Sequence, residues 1–274
     1  MRLTCSSLSL HSSTAASAID TVGALGFPAM DLVGIPTFPH PHLDIARRDP
    51  AELNLLAVCA KKANVEVANV VTVPTDGMNA WDAPEVRARV DWAVRACAAL
   101  GAPRLILDAG NPIANDPVER SRGIERWKTM VDAAVELASR GGVELAIEMP
   151  HTGTLAERYD QVAELMSALP NDTIGIDYDT SHVFRSGTGL EDSWRQMGRR
   201  VVKVSLRDVD ANGEFCRPGL GLVDFNRLFQ HLARAGFEGD VVLELETPGV
   251  EAPEDQRHEV ELARAYVEGL THFR

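Results

Sequence analysis

The sequence predicts a single closed (β/α)8 barrel, the TIM-barrel fold, over residues 1–274. Three observations carry that expectation. Apolar runs of strand length alternate with amphipathic runs of helix length from one end of the chain to the other. The alternation repeats through eight strand–helix units, and a length of 274 residues is close to the roughly 250 of such a barrel. No GxGxxG follows the first strand, where an open doubly wound sheet would place its phosphate loop.

In order, residues 2–10 predict a strand, 13–26 a helix, 29–35 a strand, 51–63 a helix and 65–73 a strand. Helix 84–100 opens on Pro84 in its first turn, puts Val86, Val90, Ala93 and Val94 on one face and stops at Gly101. Strand 104–108 precedes a long helix over 117–140, which Gly141-Gly142 end. Strands follow at 143–148, 173–179, 201–206 and 240–245, with helices at 155–168, 190–198, 223–235 and 255–271. The longest polar insertions, 36–49 and 74–83, both come just after a strand, so both belong at the rim of the barrel.

Composition narrows the function classes. Hydrophobic residues make up 45% and charged residues 24%, values of an ordinary globular domain. A net charge of −13 without a basic stripe argues against a nucleic-acid partner. Cys5, Cys59, Cys97 and Cys216 form no CxxC pair, as expected of a reducing compartment. The N-terminal MRLTCSSLSLHSS lacks the apolar core of a secretory signal, and no run approaches the roughly 20 apolar residues of a membrane span. A soluble cytoplasmic protein that acts on a small molecule is expected, with no membrane partner.

Three strand-like runs end on carboxylates: Glu148 in ELAIEMPH, Asp179 in IGIDYDTSH and Glu244 in VVLELE. Ser205 holds the corresponding place in VVKVSLRD. A barrel brings the ends of its strands to one mouth, so the row has the shape of a metal site lacking one ligand. Strand alternation also points Asp177 and Lys203 into the barrel, where each neutralises the other in a buried pair. A second possibility is that Lys203 reaches up and supplies the missing positive charge, or forms a Schiff base with a ketone.

Taken together, Glu148, Asp179-Thr180-Ser181-His182, Arg207-Asp208, Arg217-Pro218-Gly219-Leu220-Gly221 and Gly236-Phe237-Glu238-Gly239 with Glu244 resemble one family. It is the xylose isomerase-like sugar phosphate isomerase/epimerase superfamily, which includes tagatose epimerases, hydroxypyruvate isomerases and inosose dehydratases. The resemblance implies a divalent metal, manganese, magnesium or cobalt, held by Glu148, Asp179, Glu244 and a histidine on the seventh strand. Here Ser205 stands in that histidine's place, and a neutral hydroxyl is a poorer ligand than imidazole. Three outcomes follow: His182, His151 or water completes the site, an oxygen-preferring ion suits the carboxylates, or the metal is lost.

The resemblance further implies that Glu148 and Glu244 exchange protons from opposite sides of a keto-sugar or polyol carbon, with an enediolate stabilised by the metal. That is an isomerase or epimerase; a lyase that dehydrates a cyclic polyol or keto acid is the alternative, and a non-catalytic sugar-binding protein is a third reading. His182, His151, Arg207, Arg217, His11 and Trp81 are the candidate substrate-binding residues. Glu246 is the alternative to Glu244, and His40 with His42 forms a weak second candidate for metal. A homo-oligomer is expected of such barrels. The DNA-repair branch of the fold, similar to endonuclease IV, is disfavoured by the acidic charge and by the lack of its further histidine ligands.

Overall fold

Eight parallel strands close into one barrel, in the computed structural model that describes residues 1–36, 41–75, 84–110, 116–169 and 173–273. The strands are β1 (Arg2–Ser6), β2 (Ala29–Gly34), β3 (Glu66–Thr72), β4 (Arg104–Asp108), β5 (Glu144–Glu148), β6 (Gly175–Asp179), β7 (Val201–Leu206) and β8 (Asp240–Leu243). They pair in chain order, and β8 closes on β1 with Arg2 opposite Asp240. Predicted strand 2–10 is shorter than expected, because Ser6 caps a 3-10 turn over Ser7–Leu10 and takes the backbone N–H of Leu8.

The outer helices are α1 (Ala15–Ala24), α2 (Pro50–Ala63), α3 (Pro84–Leu100), α4 (Pro117–Gly141), α5 (Tyr159–Ala168), α6 (Thr180–Arg185), α7 (Leu190–Met197), α8 (Phe225–Ala235) and α9 (Pro253–Glu268). Asp49 and Asp116 cap α2 and α4, each ahead of a first-turn proline, and Gly142 ends α4 at φ 68°. Most of the apolar core lies between strands and helices, with Trp127 of α4 and Phe229 of α8 fully buried. Two features do not show in the sequence pattern. One is α6, a six-residue helix immediately after β6. The other is a small antiparallel hairpin after β7, Asp208–Val209 with Phe215–Cys216.

Inside the barrel the filling is divided. Leu8, Val33, Val71, Ile106 and Ala146 make an apolar cluster on the β1–β5 side. The β6–β8 side is filled by charge. Register explains why: Asp177 pairs with Lys203 and Asp179 with Ser205 across β6 and β7, and Val242 on β8 lies opposite Ser205. Side chains two residues apart on a strand share a face, so these charges stack as layers beneath the mouth.

Candidate functional site

Lys203 is the lower layer of the site. Its ammonium, without solvent exposure, lies 2.7 Å from Asp177, 2.8 Å from Asp31 and 3.4 Å from Glu244. The expected pair with Asp177 is therefore a larger cluster. Asp31 joins it from β2, held in turn by the Asn69 amide at 2.6 Å. Burial works against the lysine's charge, but Asp177, Asp31 and Glu244 outweigh it and hold its pKa well above the usual value. Burial pushes the Asp177 carboxyl up to about 7 even so.

Ser205 stands directly above. Its hydroxyl lies 3.1 Å from Asp177 and 3.2 Å from Glu244, so its one proton is used within the protein. Ser205, expected at a ligand position, here has its hydroxyl engaged with two carboxylates.

Arg207 forms the upper layer. Its guanidinium donates to Asp179 at 2.7 Å and to Ser181 Oγ at 3.0 Å, pairs with Glu246, and lies 4.2 Å from the Phe215 ring centroid. The other oxygen of Asp179 accepts from the Ser181 and His182 backbone N–H groups and the Ser181 hydroxyl, as the N-cap of α6. Burial alone would raise Asp179, but Arg207 and these hydrogen bonds hold it below the usual carboxylate range.

Among the described residues no lysine or arginine forms an ion pair with Glu148. Its Oε1 is buried and has no hydrogen-bond partner. Burial, then the charges of Glu244, Asp177 and Asp179, pushes this carboxyl well above its ordinary value. His182 Nε2 lies 3.8 Å from it and His151 Nε2 3.9 Å, with the two rings stacked at 4.1 Å between centroids. Burial depresses both imidazoles, so they are neutral at pH 7.

These groups line one cavity of about 410 Å³ at the mouth, with Glu148, His151, His182, Arg207, Glu244 and Glu246 on its polar side. Leu8, Val33, Ile35, Val71 and Phe215 make the apolar wall. Asp108, at the end of β4 and opposite Glu148 in register, is a further carboxyl on this cavity. Burial pushes it up to about 7. The strand-end rule that finds Glu148 would have found Asp108 as well.

Two candidates lie elsewhere. Arg217 is held 3.4 Å from Glu259 of α9 and does not line the cavity, because the post-β7 loop turns it outward onto that helix. His11 caps the 3-10 turn and lies 3.0 Å from Gln256 of α9. Neither of these two expected substrate-binding residues lines the cavity. His42 is buried, with Nε2 2.9 Å from the Ser13 carbonyl. Trp81 and His40 fall outside the described residues.

Among the described residues, two groups bring ligand atoms within 4.8 Å of one another: Glu148, Asp179 and Glu244, and Glu148, His151 and His182. The first is the set that the resemblance implies, and as built it does not fit an ion. Asp179 has both oxygens occupied, Glu244 accepts from Ser205 and Lys203, and the chain's own cations supply the charge an ion would bring.

A model of the family described as xylose isomerase-like TIM barrel matches residues 19–266. The chain is 26% identical to an inosose dehydratase of Clostridium beijerinckii over 171 residues, covering 54% of this chain and 56% of that protein. It is 31% identical over 156 residues to the rhizopine catabolism protein MocC of Rhizobium meliloti, covering 49% and 46%. The chain thus spans about half the length of the curated relatives it matches. Among solved structures, D-psicose 3-epimerase of Clostridium cellulolyticum with D-tagatose superposes with a TM-score of 0.77 at 15% identity, covering 98% of this chain and 99% of that one. The IolI protein with a bound zinc atom gives 0.79 at 15% identity, covering 100% and 99%. Likeness at that identity is likeness of fold.

Proposed function

Because the chain belongs to the xylose isomerase-like TIM barrel family, and because Glu148 and Glu244 face one cavity, we propose that it is a proton-transfer enzyme. It acts on a small keto-sugar or related polyol as an isomerase or epimerase. The observation that carries this reading is the contrast between the two carboxyls. Glu148 is buried and its carboxyl is pushed well above the ordinary range by burial and by the charges of Glu244, Asp177 and Asp179, whereas Glu244 has the Lys203 ammonium 3.4 Å away. Two carboxyls in unlike surroundings on one cavity divide the roles of acid and base.

Glu244 takes the proton from the carbon beside the substrate carbonyl. Negative charge then grows on the carbonyl oxygen, where the Arg207 guanidinium, fixed by Asp179 and Phe215, is preorganised to meet it. Glu148 returns a proton to the reacting carbon or its neighbour. The apolar wall of Leu8, Val33 and Val71 suits the C–H face of a sugar and keeps water from the charged side.

Dehydration is a second reading, favoured by the 26% identity to an inosose dehydratase. Its first step is the same. A protonated Glu148 would then release a neighbouring hydroxyl as water. Incubating the protein with keto-hexoses and inososes in heavy water separates the outcomes by mass spectrometry. Deuterium gained with the carbon skeleton and oxygens retained is expected, loss of water would establish the second reading, and absence of exchange with every substrate would refute both.

A further inference from the structure

We infer that Glu148, His151 and His182 form a binding site for a zinc-class divalent ion, displaced from the row of strand-end carboxylates toward the β5 side of the mouth. The ligand atoms are nearly in place. Glu148 Oε1 lies 3.8 Å from His182 Nε2 and Oε2 lies 3.9 Å from His151 Nε2. Ligand atoms on a tetrahedral zinc are about 3.3 Å apart, and one ligand atom from each residue lies within 4.8 Å of the other two, so closure needs at most about 1.5 Å.

Hydrogen bonding at the far side of each ring supports this placement. His151 Nδ1 lies 2.8 Å from the Thr152 carbonyl, which can only accept, so Nδ1 carries the proton and Nε2 the lone pair. The Thr152 hydroxyl and backbone N–H both lie against His182 Nδ1, at 3.1 and 3.3 Å. The Arg207 guanidinium, which can only donate, lies 3.0 Å from His182 Nε2, so Nε2 presents its lone pair. Thr152 thus orients both imidazoles with Nε2 toward Glu148, the arrangement by which metal-binding histidines are fixed.

Glu148 Oε1 is the independent sign of a ligand, a buried oxygen with no hydrogen-bond partner among the described residues. Such an atom is costly to bury and is satisfied either by the proton that Glu148 carries in the proposed reaction or by a cation that replaces it, so the ion-bound and proton-carrying forms exclude each other. Two imidazoles and one carboxylate match the three-ligand pattern of catalytic zinc, whose fourth position stays open. Here that position faces the cavity, which all three residues line. Arg207 now donates to His182 Nε2 at 3.0 Å; ion binding replaces that one contact, and Arg207 retains Asp179, Ser181 and Glu246.

The test is titration of the metal-free, full-length protein with Zn2+ by calorimetry, and with Co2+ by visible absorption. One ion per chain is expected, with imidazole nitrogens counted by X-ray absorption at the zinc edge. His151→Gln and His182→Gln should each weaken binding by at least about tenfold, and Thr152→Val, which keeps the carbonyl but loses the hydroxyl anchor, by several-fold. Glu244→Gln and Ser205→Ala should leave affinity within about twofold. No binding by the parent protein, or dependence on Glu244 with indifference to His151, would overturn the site. Because binding is read without substrate, failed turnover refutes the proposed reaction alone, whereas a protein that exchanges deuterium yet ignores zinc refutes the site alone.

Discussion

At Lys203 an ammonium without solvent exposure sits within 3.4 Å of Asp31, Asp177 and Glu244. Removing one partner of a buried ionic cluster leaves the others uncompensated and costs about 3–5 kcal/mol. Lys203→Met should destabilise the protein by that amount in chemical denaturation, although methionine fills the space. Asp108 makes a different prediction. Its pKa is raised by burial to about 7, so between pH 4 and 7 the folded chain keeps a proton that the unfolded chain gives up. Stability therefore falls as pH rises through that window, at about 1.4 kcal/mol for each unit of pKa difference. Asp108→Asn should remove that part of the slope, and melting curves of both proteins across the window should converge at low pH and separate by pH 7.

Among the elements, the loop after β7 is held by one carboxylate. Asp208 accepts from the backbone N–H groups of Val209, Gly219, Gly221 and Val223 at 2.9–3.0 Å. A Cβ on Gly221 would run into Asp208 and the Val209 carbonyl, which is why glycine stands there. Gly221→Ala should loosen the loop and its hairpin, and with it Phe215 against Arg207, at a cost of about 1–3 kcal/mol in stability and a raised KM. The Arg217-Pro-Gly-Leu-Gly motif is thus a structural anchor, and its arginine faces α9. The eight strands and most of the helices were legible in the sequence because each carries a full period of burial. Neither α6 nor the hairpin was, since six residues and two-residue strands are too short to show one. Asp177 and Lys203 could be paired by strand alternation on neighbouring strands. Asp31 could not, because it reaches Lys203 across the barrel interior from β2 and its charge reads in sequence as any buried strand position would.

On the scale of the whole molecule, the barrel interior holds an apolar cluster around Val33, Val71 and Ile106 and a charged cluster centred on Lys203, to which β6, β7, β8 and Asp31 of β2 contribute. In the proposed reaction, that arrangement sets the C–H face of the substrate against the apolar wall and its oxygens against the ionisable groups. Among the described residues no helix is long and apolar enough to cross a membrane. The strand-end carboxylates were legible as a convergent set, and Ser205 as its departure. The consequence of that departure needed coordinates, because only they show Lys203 and Arg207 meeting the carboxylates' charge. The central claim is that Glu148 and Glu244 exchange protons with a bound keto-sugar or polyol. It is tested most directly by the rate of deuterium entry into substrate carbon, measured for the parent protein, Glu148→Gln and Glu244→Gln. The account predicts steady incorporation by the parent and a loss of about 100-fold or more in each variant, with both folded. Equal incorporation by all three would contradict it.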